Sequence, residues 1–196
     1  MVSNLSFILP ALNEEKFIGN AIDDINQICL NNSIDVEIIV VDSDSEDRTA
    51  EIAKSKINTI VINQPEKGYG NALKTGFQIA GNEIIGFADP DGTYDFKEIP
   101  LCLSYFDKGY DFINTNRLIK KNRQSFRLAN YVGNIIISLV CRLLIDWTAK
   151  DVLSGYKFIR NKVLQRMKLK TAQWDLNVEM TLKARLMRLN MIVVDA

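Results

Sequence analysis

Apolar residues in the first ninety positions of this 196-residue chain alternate between short continuous runs and longer stretches with helical spacing. Leu5 to Leu9 and Val36 to Val41 are runs rich in Ile, Leu and Val, which suit parallel strands buried on both faces. Between them, Glu14 to Leu30 sets Phe17, Ile18, Ala21, Ile25 and Ile28 at helical spacing, with Asn13 as its cap. A helix after Asp47, a strand at Thr59 to Ile62, a helix from Asn71 to Ala80 and a strand at Glu83 to Ala88 continue the alternation. Such an order predicts an α/β fold of right-handed βαβ units: a three-layer sandwich around a mostly parallel central sheet. Ligands bind such sheets at the carboxyl ends of the strands, so the loops after Leu9, Val41, Ile62 and Ala88 are the ones to inspect.

The second half is less regular. Ile99 to Phe106 reads as a helix, Tyr110 to Thr115 as a strand, and Val132 to Ile145 as a strongly apolar helix. Tyr156 to Ile159 reads as a strand, Val178 to Leu189 as a helix and Met191 to Val194 as a last strand. Without a repeat or a linker, residues 1–196 read as a single domain with a first half, 1–110, and a second half, 111–196.

Composition adds a division that the total hides. The chain carries 24 basic and 24 acidic residues, yet residues 1–110 hold 18 acids and 8 bases, and residues 111–196 hold 6 acids and 16 bases. That asymmetry points to a partner with its own charge layout. The absence of histidine excludes a histidine general base, a Ser-His-Asp or Cys-His nucleophile and a His-ligated zinc, which leaves acid-base chemistry mainly to carboxylates. Cys29, Cys102 and Cys141 are far apart and read as reduced, buried side chains of a cytoplasmic protein. No signal peptide is visible, and the apolar run Leu128 to Cys141 is shorter than the roughly 20 residues a membrane span needs.

Four loops carry candidate chemistry. Pro10-Ala11-Leu12-Asn13-Glu14-Glu15 follows the first strand, and its acids suit either a helix start or a ligand. Asp42 to Asp47 places four acids among six positions, with serines between them. Lys67-Gly68-Tyr69-Gly70-Asn71-Ala72-Leu73 has Leu73 where a dinucleotide fingerprint needs its third glycine, but its small residues let a backbone approach a ligand closely. Asp89-Pro90-Asp91-Gly92 ends the fourth strand with two neighbouring carboxylates. At about 6 Å these would repel by roughly 3 kcal/mol at an effective dielectric near 20, which favours either a solvated turn or a hard cation bridging to a diphosphate.

In this order and at these separations, the four loops resemble the nucleotide-sugar-binding half of family 2 glycosyltransferases with a GT-A fold. Asn116-Arg117, Gly133-Asn134 and Asp151-Val152-Leu153-Ser154-Gly155-Tyr156-Lys157 resemble the branch that includes dolichyl-phosphate mannosyltransferases and other polyprenyl-phosphate hexosyltransferases. The resemblance implies that Pro10, Ala11 and Glu14 line the nucleotide, that Asp42 contacts its base, and that Gly70, Asn71 and Lys74 approach the nucleotide sugar. It implies that Asp89 reaches the ribose or sugar and helps with a Mg²⁺ or Mn²⁺ ion, while Asp91 binds that ion. Asp44 stands where the family usually has glycine; aspartate tolerates a left-handed backbone better than most residues.

For the acceptor, Arg117, Lys120, Lys121, Arg123 and Arg127 form a basic run before the apolar helix, an arrangement that suits either a core helix beside a solvated loop or a membrane-surface contact. A polyprenyl phosphate acceptor is already an anion, and the candidate residues to hold it are Arg117, Arg127, Ser154 and Lys157. If the acceptor were a saccharide hydroxyl, in polysaccharide assembly, Asp151 would be the leading base and Glu179 the second. The reading is therefore an inverting, metal-dependent transfer of hexose from a UDP- or GDP-linked donor, with Asp91, Arg117 and Asp151 as the catalytic candidates. Its place is the cytoplasmic face of the membrane, peripherally bound, and nucleic acid is not an expected partner. A nucleotidyltransferase would carry a Gly-rich basic loop after the first strand, which Pro10 to Glu15 is not, and a non-catalytic nucleotide-binding module would not need the Asp89-x-Asp91 pair. The chain stops at a strand end, where relatives continue through a Pro-containing and then a basic segment, so a longer product is expected.

Overall fold

The computed structural model describes residues 3–116 and 151–195. The predicted helix Val132 to Ile145, Cys141 and the basic run Arg117 to Arg127 lie outside the described residues.

Strand β1 (Asn4–Ala11), helix α1 (Ile18–Asn31), β2 (Asp35–Asp42), α2 (Thr49–Lys54), β3 (Thr59–Asn63), α3 (Tyr69–Ile79) and β4 (Ile84–Phe87) follow the predicted alternation. A single 3₁₀ turn (Phe96–Glu98) leads into α4 (Ile99–Asp107), and β5 (Phe112–Asn116), β6 (Lys157–Arg160), α5 (Asn161–Met167), α6 (Leu176–Leu186) and β7 (Met191–Asp195) complete the described fold. The seven strands lie in the order β3-β2-β1-β4-β6-β5-β7. β1 pairs in parallel with β2 and β4, β2 with β3, and β5 with β7, while β6 runs antiparallel between β4 and β5.

Side-chain alternation along β1 explains the three layers. Leu5, Phe7 and Leu9 face one way and meet Ile18, Ile22 and Ile25 of α1 and the buried stripe of α4. Ile8 faces the other way, together with Ile39, Val41 and Phe87, against Leu73 of α3, Leu164 of α5 and Met180 of α6. Cys29 and Cys102 are buried free thiols, and burial pushes the Cys29 thiol up to about 12.

Two local expectations change. α1 starts at Ile18 rather than Glu14, and Asn13 does not cap it: Asn13 takes a left-handed backbone (φ 59°) and its side chain serves the neighbouring loop. α5 is an additional helix whose signal was Val163, Leu164 and Met167 at helical spacing, buried against the sheet and ended by Lys168 at φ 48°. Among the described residues no helix is long and apolar enough to cross a membrane.

Candidate active site

The loops after β1 and β2 are tied to each other before they do anything else. Ser45 Oγ accepts from Asn13 N–H (2.9 Å), Asn13 Oδ1 accepts from Glu46 N–H (2.9 Å), and Thr49 Oγ1 accepts from Glu14 N–H (2.7 Å). Asp47 accepts from Glu15 N–H at 3.1 Å and from the Thr49 hydroxyl, bonds that hold its carboxyl below the usual range against a desolvation that acts the other way. Asp42 is buried at the end of β2 and accepts from both the hydroxyl and the N–H of Ser45, so it shapes the turn in which Asp44 takes φ 65°. The left-handed position expected for Asp44 is therefore present. Ala11, beside Asp42 in the sheet register, accepts from Ser43 N–H at 2.9 Å.

A cavity of about 390 Å³ opens at the carboxyl ends of β1 and β4. Pro10, Leu12 and Glu14 line it from the first loop, Lys67, Gly68 and Tyr69 from the start of α3, and Asp89, Pro90 and Asp91 from the loop after β4. Burial raises the carboxyl of Glu14, and the nearby charges of Asp91 and Asp47 raise it further. Negative charge thus accumulates on one side of the cavity. Asp91 is exposed and accepts from Thr93 N–H (2.9 Å), whereas Asp89 is largely buried.

Gln173 and Trp174, neither of them singled out in the sequence, close another side of the cavity. Trp174 stacks on Tyr69 with ring centroids 3.9 Å apart and planes 10° from parallel. The glycines of the KGYGNA segment explain how the two segments meet. A Cβ on Gly68, which has φ 135°, would lie 2.5 Å from Ala172 O, and one on Gly70 would lie 2.8 Å from Ala172 C. Asn71 N–H donates to Ala172 O at 3.2 Å, and the Asn71 side chain donates to Lys67 O at 3.2 Å. Gly70 and Asn71 therefore dock the 168–175 loop, which carries Trp174, onto α3. Lys74 is not among the residues lining this cavity; it lines a separate groove between α3 and α5 and donates to Lys170 O at 3.4 Å.

The 151–157 segment lies behind the cavity. Gly155 N–H donates to the Tyr94 hydroxyl at 2.8 Å, and a Cβ at Gly155 would stand 2.6 Å from Asp89 Oδ2 and 3.0 Å from the Tyr69 and Tyr94 hydroxyls. Only glycine fits beside this carboxylate. Ser154 is buried, its hydroxyl 2.9 Å from that of Thr115, and its N–H donates to Asp151 O at 3.0 Å. Asp151 is buried in a left-handed conformation (φ 40°), and Asn114 Nδ2 also donates to its carbonyl at 3.2 Å.

Lys157 departs from the expectation of an acceptor-facing cation. It occupies the central strand β6 opposite Phe87, is 0% exposed, and donates to Asn114 Oδ1 and, at 3.3 Å, to Val152 O. The ammonium braces the turn that presents Gly155. Glu179 likewise is engaged elsewhere: it accepts from Lys170 N–H (3.0 Å), Thr171 N–H (2.9 Å) and the Thr171 hydroxyl (2.8 Å), and it pairs with Lys183 at 2.6 Å. Burial acts to raise its carboxyl, but the bonds from Lys183, Thr171 and Lys170 prevail and hold it at about 2. A group held there is a poor proton acceptor at neutral pH. Arg117 and Arg127 lie outside the described residues.

The family model described as Glycosyl transferase family 2 matches residues 6–168. The chain belongs to glycosyl transferase family 2. This glycosyltransferase is 31% identical over 161 residues to a dolichyl-phosphate hexose transferase of Haloferax volcanii, covering 82% of the present chain and 68% of that protein. It is 30% identical to the low-salt glycan biosynthesis hexosyltransferase Agl6 of the same organism, covering 92% of this chain and 44% of that one. An undecaprenyl-phosphate 4-deoxy-4-formamido-L-arabinose transferase of Pectobacterium atrosepticum is 29% identical, with 69% of this chain and 43% of that one covered. The chain thus spans less than half the length of the last two relatives. Among solved structures, glucosyl-3-phosphoglycerate synthase from Mycobacterium tuberculosis with Mn²⁺, UDP and glucosyl-3-phosphoglycerate superposes with a TM-score of 0.76 over 98% of this chain and 69% of that one, at 20% identity. The fold of this glycosyltransferase is GT-A.

Proposed function

We propose that this family 2 enzyme transfers a hexose from a UDP- or GDP-linked donor to a polyprenyl phosphate, with inversion, at the cytoplasmic face of the membrane. The observation that carries it is the cavity bringing Glu14, Asp89 and Asp91 together at the carboxyl ends of β1 and β4. Two relatives named for transfer to dolichyl or undecaprenyl phosphate support the acceptor class. Residues 161–188, which include α5 and α6, hold seven bases against two acids, a charge balance suited to an anionic leaflet at about 1 kcal/mol per cation near the surface.

The donor set fits a hard divalent cation, Mg²⁺ or Mn²⁺, provided the ligand supplies oxygens. Among the described residues no group of three or more histidine, cysteine or carboxylate side chains is placed to hold a metal ion, while Asp89 and Asp91 line one cavity. Asp91 and Asp89 would hold the ion together with the donor diphosphate, and the ion supplies neutralisation of the charge that grows on the departing diphosphate. Pro10 and Glu14 line the space for the nucleotide, while Ala11 and Asp42 shape the two loops beside it. The acceptor phosphate oxygen attacks the anomeric carbon as the bond from that carbon to the diphosphate breaks, and the nucleoside diphosphate leaves. No general base is required because the nucleophile is already ionised. Arg117 and Arg127 hold the acceptor phosphate in this account, and Ser154 and Lys157 support the turn beside it.

A second reading, transfer to a saccharide hydroxyl, is favoured by one feature: Asp151 is buried in the left-handed region, a strained backbone of the kind that clusters at functional sites. The two readings separate in one assay. Labelled UDP-glucose and GDP-mannose are offered with Mg²⁺ or Mn²⁺ and polyprenyl phosphate, using wild type and Asp151→Asn. Label in the lipid extract that survives the substitution supports the phosphate acceptor; transfer to saccharide alone, abolished by Asp151→Asn, supports the hydroxyl acceptor.

A further inference from the structure

The loop that carries Asp89 and Asp91 is held at both ends. At its start, Ala88 N–H donates to Ile8 O at 3.2 Å, which continues the pairing of β4 with β1. At its far end Tyr94 turns back into the core, where it is buried and its ring meets that of Tyr156 at a centroid distance of 5.4 Å. The Tyr94 hydroxyl accepts from the buried N–H of Gly155 at 2.8 Å, across 61 positions of sequence. Between these ends, Asp91 accepts from Thr93 N–H at 2.9 Å and Gly92 takes φ 79°, a tight turn that leaves Asp91 exposed. Gly155 is where the far anchor meets the site: a Cβ there would stand 2.6 Å from Asp89 Oδ2 and 3.0 Å from the Tyr94 hydroxyl. β5 holds the 151–157 turn from one side, through Asn114 on Asp151 O and Thr115 on the Ser154 hydroxyl. Tyr94 holds it from the side of the carboxylates. A backbone N–H buried this way has no water to replace its acceptor, so the turn and the loop move together or lose the bond.

We propose that Tyr94 is a positioning residue for the Asp89–Asp91 loop: by holding Gly155 N–H, its hydroxyl fixes the loop against the 151–157 turn and so sets the spacing at which the two carboxylates meet a divalent cation. This rests on the reading of the cavity as a metal-dependent nucleotide-sugar site. Tyr94 does not line that cavity. It acts through the loop and the turn that it joins.

The test is calorimetric titration of the full chain with UDP and, separately, GDP, once with Mn²⁺ and once with EDTA, together with thermal melting of the ligand-free protein. Tyr94→Phe keeps the ring and its contact with Tyr156 and removes the acceptor. It is expected to weaken nucleotide binding about ten-fold with Mn²⁺ and by less than about two-fold with EDTA, and to lower melting, because Gly155 N–H is left buried without its partner. Tyr156→Phe is the control: it takes from the neighbouring ring a hydroxyl that is buried and makes no hydrogen bond within the described structure, and it should leave Mn²⁺-dependent binding unchanged. Lowered melting with unchanged binding in Tyr94→Phe leaves the hydroxyl a structural role alone and overturns the proposal. So does a loss that is equal with Mn²⁺ and with EDTA, or an equal loss in Tyr156→Phe. Each of these leaves the donor-site reading intact. A wild-type chain that binds neither nucleotide with Mn²⁺ overturns that reading and the proposal with it.

Discussion

Glu14 and Asp91, in the loops after β1 and β4, line an open cavity, whereas Lys157 and Glu179, in the 151–179 region, are turned inward and occupied. Glu14 and Asp91 line a cavity with Asp91 exposed, and the Glu14 carboxyl is raised by burial and then by the charge of Asp91. Lys157 and Glu179, of equally reactive types, are engaged by Asn114 and Val152 in one case and by Lys170, Thr171 and Lys183 in the other. Residue type is therefore a weak guide to availability. What separates the two regions is which charges are paired: in the first, Asn13, Ser45 and Thr49 together with Asp42 and Asp47 hold the loops while Glu14 and Asp91 line the cavity, and in the second Lys157 and Glu179 are themselves the fasteners.

The sharpest way to break this comparison is to remove the carboxylates of the cavity. Asp89→Asn and Asp91→Asn should each lower transfer by about 10²–10³-fold, since each withdraws charge from the proposed cation, and far-ultraviolet circular dichroism should be unchanged. Residual activity near wild type in both would place the metal elsewhere. Next is Gly155→Ala, which puts a methyl group 2.6 Å from Asp89 Oδ2. Overpacking there should cost about 1–3 kcal/mol and displace the carboxylate, seen as lowered melting together with weakened Mn²⁺-nucleotide binding.

The occupied charges should respond differently. Lys157→Met should lower stability by about 1–3 kcal/mol, because it withdraws a buried donor from Asn114 and Val152, and its effect should appear in melting before it appears in donor binding. Glu179→Gln should have the smallest effect at neutral pH on transfer and a measurable one on melting. The sign with pH follows from its depressed carboxyl, about 2 against the usual 4.5. The stability from the ionised form is present above the unfolded value and is lost as pH falls toward 2, so the melting difference between wild type and Glu179→Gln should shrink across that window. A difference that grows on acidification contradicts the clamp.

Much of this was legible in the sequence for a physical reason. β1, β2 and α3 are long enough for their apolar periodicity to show, and the acidic loops sit where a parallel sheet presents its ligand side. Pro10, Glu14, Asp89 and Asp91, which stand in those loops, line one cavity. Trp174 and Gln173 were not legible, because their place in the cavity depends on Gly68 and Gly70 packing against residues about a hundred positions later, a contact with no local pattern. Gly70 and Asn71, expected to approach a nucleotide sugar, seat that loop. Lys157 was misjudged because its environment is set by β6 running antiparallel between β4 and β5, which buries its side chain within the sheet. Asn13 shows the same limit on a smaller scale: the residue suited to a cap was used to join two loops.

The most direct measurement is label transfer from a nucleotide sugar to polyprenyl phosphate, run with and without Mg²⁺ or Mn²⁺ and alongside Asp91→Asn. Labelled glycolipid is expected in the organic extract, requiring the divalent cation and falling with the substitution. Transfer that proceeds equally without the cation, or no labelled lipid with UDP- or GDP-linked hexoses, would contradict the proposed transfer.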